Sequence, residues 1–387
     1  MIKIEHPDLD QIASDYFNNV KKIITTRCDY FLEVFEVLFN GKTKATLEDH
    51  SLHGTIKKSL TNIFLIKNKL ENQNQFSNVD LTNCHPWVSV QRNTLHNVIS
   101  YLNNDSQQKE LILCSPDNAK ILENTIKLSL GISATMDENI KLLVNKIIDY
   151  DIFNQFAYNI ANRLKINTCP YCNRIHINTV IDINENKFIR PTFDHFFSQK
   201  YHPFLALSFY NLIPSCYYCN SNLKNSQKTD IYTHLHPYKE GFNEDVTFDI
   251  IVKDLKPNKS DPENYKLYFK DNTDPLTGKN KFTKIFGGTR AMANKKEGNL
   301  NLFRLSEIYQ SHLDIVGELV VKCDRLSMSY SNSLNIFFES LQTDKTEFYQ
   351  YYFGNYFNES DFNRRPMSKL TKDVVTRLMK NLIRQPI

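Results

Sequence analysis

Two cysteine pairs in this chain have the spacing of a metal-binding site. Cys169 and Cys172 are separated by two residues, and so are Cys216 and Cys219. Two such pairs supply the four thiolates that hold Zn²⁺ in a closed tetrahedral site. Disulfides are the alternative, but the N-terminal segment MIKIEHPDLDQIASDYF lacks the basic and apolar regions of a secretory signal, which predicts a reducing, cytoplasmic location. We therefore expect structural zinc at these cysteines.

The segment between and just after the cysteine pairs carries residues that could hydrolyse a phosphodiester. Asp194 is followed directly by His195. Asn211 lies sixteen residues after this histidine, and Asn220 directly follows the second cysteine pair. A neutral imidazole can activate water near neutral pH, and a carboxylate with an amide oxygen can hold a hard cation such as Mg²⁺ or Mn²⁺. Alone, the Asp-His pair would be a surface pair and Asn211 a turn residue, so the hypothesis depends on their joint occurrence within the cysteine frame.

In this order and spacing, the segment resembles the HNH endonucleases, whose ββα-metal fold is pinned in many members by two Cys-x-x-Cys pairs. The close resemblance covers about 70 of the 387 residues. It implies that His195 is the general base, that Asp194 and Asn220 ligate the catalytic cation, and that Asn211 fixes the loop that bears the histidine. Many HNH members have His where this chain has Asn220, which leaves the identity of the catalytic metal open.

Positive charge is concentrated in the same region of the sequence. Residues 161–236 contain eight Lys or Arg against four Asp or Glu, and this surplus equals the net charge of +4 of the whole chain. Such a surplus favours a polyanionic partner. The candidates for phosphate contacts are Lys224, Arg174, Lys200 and Lys228. For any one lysine a solvated side chain is the simpler interpretation, except for Lys224, which lies one helical turn after Asn220 and is expected to face the same groove.

The surrounding sequence predicts a mainly α protein with a small α+β insert. Residues 1–160 carry apolar residues at spacings of three and four, which predicts a helical N-terminal domain. In one of its helices, Pro116 is expected in the first turn, and the helix is expected to continue through Asn118 to Leu130. Residues 161–240 form the expected HNH module with its four-cysteine zinc site. In this module, strands are expected near 175–183 and 187–193, joined by a turn at 184–186.

Residues 241–387 are expected to form a small β segment followed by a helical C-terminal region. The β-rich sequences VTFDIIV and YKLYF predict a hairpin or small sheet, and amphipathic helices are expected from Leu302 onward. Between them, the glycine-rich and basic segment 272–299 predicts either a mobile nucleic-acid clamp or a solvated linker. No apolar run approaches the ~18 residues that a membrane crossing requires, so no membrane partner is expected.

A narrower resemblance concerns the arrangement of the whole chain. The sequences CPYCNR, DHFF, LALSFYNLIPSCYYCN, HPYKEGF and LFRLSEIYQSHLDIV, set between helical flanks, are similar to the HNH subunits that accompany ATPases in bacterial anti-phage systems, notably the Septu type. This resemblance implies an ABC- or SMC-like ATPase partner that controls cleavage, with phage or host nucleic acid as substrate. DNA is the expected target, and RNA is the alternative because the chemistry does not require deoxyribose.

Two other functions stay open at this stage. One is a stand-alone restriction or homing-type HNH DNA endonuclease, which would need a sequence-reading element that we do not find. The other is a zinc-stabilised nucleic-acid-binding module without catalysis, and the intact Asp194, His195 and Asn220 argue against it.

Overall fold

The protein is mainly helical with a small β part, as the sequence predicts. The computed structural model describes residues 1–40, 42, 47, 49–63, 91–133, 136–254, 258–272, 295–326 and 345–383. Most of the predicted basic segment 272–299 lies outside these residues. Within them, no helix combines the length and the apolar content needed to cross a membrane.

The chain divides into two compact units, each assembled from separate stretches. The first unit comprises Met1–Pro7, Leu164–Asp194 and Ile213–Ile387, and the second comprises Asp8–Arg163 and His195–Leu212. The change at Leu164 lies close to the predicted domain boundary near residue 160. Residues 195–212, which lie within the predicted module 161–240, cluster with the N-terminal helices.

Helices dominate the second unit. Its described helices are Leu9–Phe39, His53–Ile63, Arg92–Asn103, Asp105–Ile112, Ala119–Ser129, Glu138–Ile147 and Tyr150–Leu164, the last ending at the unit boundary. Helix Arg92–Asn103 buries Leu95, Val98, Ile99 and Leu102, an apolar face at helical spacing, and packs on Leu9–Phe39. Burial of such faces is the main source of stability for helices of this length.

The first unit combines helices with short antiparallel strands. Its strands are β1 (Val180–Ile181), β2 (Lys187–Ile189), β3 (Thr192–His195), β4 (Leu212–Ser215), β5 (Val246–Val252) and β6 (Tyr265–Asp271), with β3 and β4 extending across the unit boundary. Its described helices are Lys295–Leu302, Leu305–Tyr309, Leu313–Arg325, Lys345–Phe353 and Ser368–Ile383. The pairing of β5 with β6 confirms the predicted β segment, and the predicted C-terminal helices are confirmed as well.

The predicted strand 187–193 is interrupted in the structure. β2 pairs with β1, whereas β3 pairs with β4. Pro191 lies between β2 and β3 and has no N–H to donate, which explains why one strand does not continue through it. The predicted turn at 184–186 is present, and Asp182 Oδ1 closes it by accepting from the backbone N–H groups of Asn184 and Asn186, each at 2.8 Å.

Candidate functional site

The four predicted zinc ligands lie together in the first unit. The sulfur atoms of Cys169, Cys172, Cys216 and Cys219 all lie within 4.8 Å of one another, and all four side chains are buried. An ideal tetrahedral zinc site with Zn–S bonds of about 2.3 Å separates its sulfurs by ~3.8 Å, which lies within this limit. The arrangement therefore suits a structural metal such as zinc.

Backbone hydrogen bonds shape both cysteine loops. In the first loop, Cys169 N–H donates to Ile175 O at 3.0 Å and Asn173 N–H donates to Cys169 O at 2.7 Å. Asn173 adopts a φ of 48°, a left-handed conformation that asparagine tolerates better than most residues. In the second loop, Cys219 N–H points at the Cys216 sulfur at 3.5 Å. These turns aim the cysteine side chains inward.

The thiols of this cluster differ in their pKa values. Hydrogen bonds from the other three thiols, that of Cys169 first, hold the pKa of Cys172 well below its usual value, whereas burial raises the pKa of Cys169 well above it. Without a metal, the Cys172 sulfur is therefore the more readily deprotonated of the two, and the Cys169 sulfur keeps its proton. A bound divalent cation would favour the thiolate form of all four, since metal binding releases thiol protons.

Asp194 is buried in the first unit and its carboxylate oxygens have different partners. The Tyr171 hydroxyl donates to Oδ2 at 2.6 Å, and the Lys224 ammonium donates to Oδ1 at 3.0 Å. Tyr171 belongs to the first cysteine loop, and Lys224 lies just after the second. The first cysteine loop and the helical segment that contains Cys219 thus each contribute one side chain that holds Asp194.

The phenol of Tyr171 is a permanent donor to Asp194. Burial, followed by the nearby Asp194 carboxylate, raises the pKa of Tyr171 far above its ordinary value, so the hydroxyl keeps its proton. The Tyr171 ring stacks on Phe303, with centroids 4.3 Å apart. This stacking fixes the direction of the hydroxyl toward the carboxylate.

Asn220 lies on a π-helix, Tyr218–Lys224, that begins within the second cysteine pair and contains Cys219. The Asn225 N–H donates to Asn220 O at 2.7 Å, which is the i→i+5 bond that defines this helix type. The Asn220 side chain is partly exposed. Oxygen donors such as Asp194 and Asn220 are the types that hard cations prefer, but the Asp194 carboxylate already carries the Lys224 ammonium.

His195 begins the part of the loop that belongs to the second unit. Its Nε2 lies 2.9 Å from Ala206 O. A carbonyl oxygen can only accept, so Nε2 carries the proton and the lone pair of the neutral imidazole lies on Nδ1. The ring also packs edge-on against Tyr150, with centroids 4.8 Å apart. These contacts fix both the tautomer and the orientation of the imidazole.

Asn211 closes the loop that follows His195. Its Oδ1 accepts from Phe197 N–H at 2.6 Å, and its Nδ2 donates to Phe197 O at 3.1 Å and to Leu205 O at 2.8 Å. The side chain is buried, so leaving any of these groups unpaired would be unfavourable. The amide therefore joins the two ends of the segment from residue 197 to residue 205.

Two contacts join the loop that follows His195 to the N-terminal helices. The Tyr16 hydroxyl donates to Leu207 O at 3.1 Å. His202 Nδ1 lies 2.6 Å from Glu123 Oε2, and this glutamate is only 1% exposed. Both contacts lie within the second unit. They explain why residues 195–212 cluster with helices that are distant in sequence.

The predicted phosphate-binding residues occupy different environments. Lys224 does not face an open groove as predicted, because its side chain is 1% exposed and paired with Asp194. Arg174 is partly buried, and its guanidinium lies 3.2 Å from His312 Nε2. Lys200 and Lys228 are exposed, as phosphate contacts require. Lys200 and Lys228 are thus accessible to solvent, whereas Lys224 is in the interior.

The remaining histidines of the module differ in burial. His176 is exposed, whereas His234 and His236 are buried. Burial, and after it the positive charge of Lys224, lowers the pKa of His234 from 6.5 to about 4. Helix Lys295–Leu302 passes close to this histidine at Gly298, where a Cβ atom would lie 1.9 Å from Thr233 O. Only glycine permits this approach.

Sequence reasoning missed three side chains that contact Asp194, His195 or the loop that follows His195. Tyr171 lies inside the CPYC motif, where only its position within the cysteine loop could have suggested a role. Tyr150 and Glu123 lie on distant helices, and no spacing in the sequence relates them to His195 or His202.

Comparisons with protein-family models, with known proteins and with solved structures found no match to this chain.

Proposed function

We propose that this protein is a metal-dependent HNH endonuclease that hydrolyses phosphodiester bonds in nucleic acid. The observation that carries the proposal is the arrangement around His195, whose Nε2 proton is bound to Ala206 O inside a loop closed by Asn211. A histidine held in this way has a fixed orientation and presents Nδ1 as its basic nitrogen. A general base that removes a proton from water requires both properties.

Asp194 and Asn220 are the residues that would hold the catalytic Mg²⁺ or Mn²⁺. When bound, such a cation neutralises charge on the phosphoryl oxygens and stabilises the leaving alkoxide. Tyr171 orients the Asp194 carboxylate through its hydrogen bond to Oδ2. His195 accepts the proton of the attacking water, and Lys200 and Lys228 attract the phosphate backbone from the surface.

The four cysteines have a structural role in this proposal. Four thiolates complete the coordination of zinc and leave no open position for a substrate. The contribution of zinc is to fix the two loops from which Tyr171 and Lys224 reach Asp194. Control by an ABC- or SMC-like ATPase and a role in anti-phage defence rest on the sequence resemblance alone, and we retain them as predictions.

Analysis of the cleavage products tests the proposal. The 387-residue chain is incubated with end-labelled DNA or RNA in Mg²⁺ or Mn²⁺, with a chelator control. Attack by water should leave 5′-phosphate and 3′-hydroxyl ends, and chelation should stop the reaction. Products ending in a 2′,3′-cyclic phosphate, or cleavage that continues without divalent cations, would contradict the mechanism.

A further inference from the structure

The Asp194–Lys224 ion pair is isolated from solvent. The two side chains are 2% and 1% exposed, and Lys224 Nζ lies 3.0 Å from Asp194 Oδ1. Buried ammonium and carboxylate groups of this kind are retained only when each is paired, because removing either partner leaves an uncompensated charge. Lys224 therefore neutralises the same carboxylate to which the proposed function assigns a divalent cation.

The partners of Asp194 leave little room for both cations. Oδ2 accepts from the Tyr171 phenol, and Oδ1 accepts from the Lys224 ammonium. A divalent cation bound to Oδ1 would lie within a few ångströms of this ammonium, since metal–oxygen bonds are about 2.0–2.1 Å long for Mg²⁺. Like charges repel strongly at such a distance away from bulk water.

Lys224 lies on the same helical segment as Asn220, the other proposed ligand of the cation. Asn220 and Lys224 lie four positions apart on the π-helix Tyr218–Lys224, where the Asn220 side chain is partly exposed and the Lys224 side chain is buried. A cation that binds Asp194 Oδ1 meets the Lys224 ammonium, which lies 3.0 Å from this oxygen. Lys224 has a long, flexible side chain with several alternative rotamers, which allows it to move without unfolding the helix.

We propose that Lys224 is a resident counter-ion of Asp194 and that a divalent cation binds this carboxylate only by displacing the Lys224 ammonium. In the metal-free protein, the Lys224 ammonium then neutralises the Asp194 carboxylate. Competition with this ammonium sets the affinity for the catalytic cation. This inference rests on the proposed function, because it takes Asp194 to be a ligand of that cation.

Direct measurement of Mn²⁺ binding tests the competition without any cleavage assay. Zinc-loaded wild type and the Lys224→Met, Asp194→Asn and Asp194→Asn/Lys224→Met variants are titrated with Mn²⁺, and free Mn²⁺ is followed by electron paramagnetic resonance. Lys224→Met should bind at least about tenfold more tightly than the wild type, because the competing charge is gone. The gain should disappear in the double variant, since it depends on the Asp194 carboxylate.

Two further variants serve as controls. Lys224→Arg keeps the positive charge and should bind Mn²⁺ no more tightly than the wild type. Lys266→Met removes an exposed lysine elsewhere in the first unit and should leave the affinity unchanged within about twofold. If Lys224→Met folds poorly, Lys224→Gln replaces it. In either variant, Mn²⁺ should raise the melting temperature more than in the wild type, because the cation replaces the missing charge.

The outcomes separate this inference from the proposed function. Equal or weaker Mn²⁺ binding by the neutral variants, or a gain that persists without the Asp194 carboxylate, would overturn the role of Lys224 even in an active nuclease. Binding that follows the expected order in a protein that cleaves neither DNA nor RNA would support Lys224 as the counter-ion and contradict the nuclease.

Discussion

Asp194 and His195 are consecutive residues, yet different interactions hold their side chains. Asp194 is fixed by a buried ammonium and a phenol that belong to the cysteine loops of the first unit. His195 is fixed by neutral hydrogen bonds and aromatic packing within the second unit, in a loop closed by Asn211. The position of Asp194 depends on charge balance with Lys224 and on the hydrogen bond from Tyr171, whereas that of His195 depends on backbone geometry and helix packing.

This difference implies that the two residues can be disturbed separately. Loss of metal should affect the elements around Asp194 first, because both of its partners are attached to the cysteine loops. Loss of the Asn211 amide should affect the loop after His195 and leave the cysteines in place. A comparison of zinc content with stability in each variant therefore distinguishes the two regions.

The largest effect is expected for Cys216→Ser. Removing one thiolate from a structural zinc site forfeits much of a binding free energy of about 10 kcal/mol or more. We expect loss of bound zinc, measured by mass spectrometry, and unfolding of the first unit, measured by circular dichroism. Cys323→Ser, at a buried thiol outside the cluster, is the matched control and should retain zinc. A Cys216→Ser protein with full zinc content would show that this cysteine is not a ligand.

A smaller loss, about 3 kcal/mol, is expected for Asn211→Ala. The change removes three hydrogen bonds and leaves buried backbone groups of the loop without their partner. Urea denaturation should report this loss, while zinc content stays at the wild-type level. Asn162→Ala, at an exposed helical position, should change stability by less than about 0.5 kcal/mol. If Asn211→Ala also released zinc, the two regions would not be separable as described.

Lowering the pH should destabilise the first unit, because His234 is buried there as a neutral imidazole. Its folded pKa of about 4 lies below the unfolded value near 6.5, so the unfolded state binds more protons between these values. The stability from this neutral histidine is complete above pH 6.5 and is lost as the pH falls toward 4. Between pH 7 and pH 5 we expect a loss of about 2 kcal/mol.

His234→Gln should reduce this acid-dependent loss. The variant should show a shallower decrease in the free energy of unfolding between pH 7 and pH 5 than the wild type, measured by urea denaturation at each pH. His176→Gln, at an exposed histidine, should follow the wild-type curve. Parallel curves for His234→Gln and the wild type would mean that the buried imidazole does not set this pH dependence.

Local patterns in the sequence predicted the elements whose side chains have a clear periodicity or spacing. The helix expected to open at Pro116 and to continue to Leu130 is found at Ala119–Ser129, so it begins three residues later than predicted. The two β-rich sequences after residue 241 pair as β5 and β6. The spacing of the cysteine pairs also predicted their cluster, because Cys-x-x-Cys loops turn both thiols to one side.

The environments of individual polar residues could not be predicted in this way. Lys224 was placed in an open groove from helical spacing, but its burial depends on Asp194, which lies thirty residues earlier. The attachment of residues 195–212 to the helical unit depends on contacts such as His202 with Glu123, seventy-nine residues apart. Interactions between segments so distant in sequence leave no periodic signal.

Cleavage by the His195→Ala variant tests the central claim most directly. Wild type, His195→Ala and the control His176→Ala are compared on a labelled nucleic acid with Mg²⁺ or Mn²⁺, and zinc content and melting temperature are measured on the same preparations. Loss of the general base should lower the rate by about 10²-fold or more, while the variant remains folded with full zinc content. A His195→Ala protein that cleaves at the wild-type rate would contradict the account.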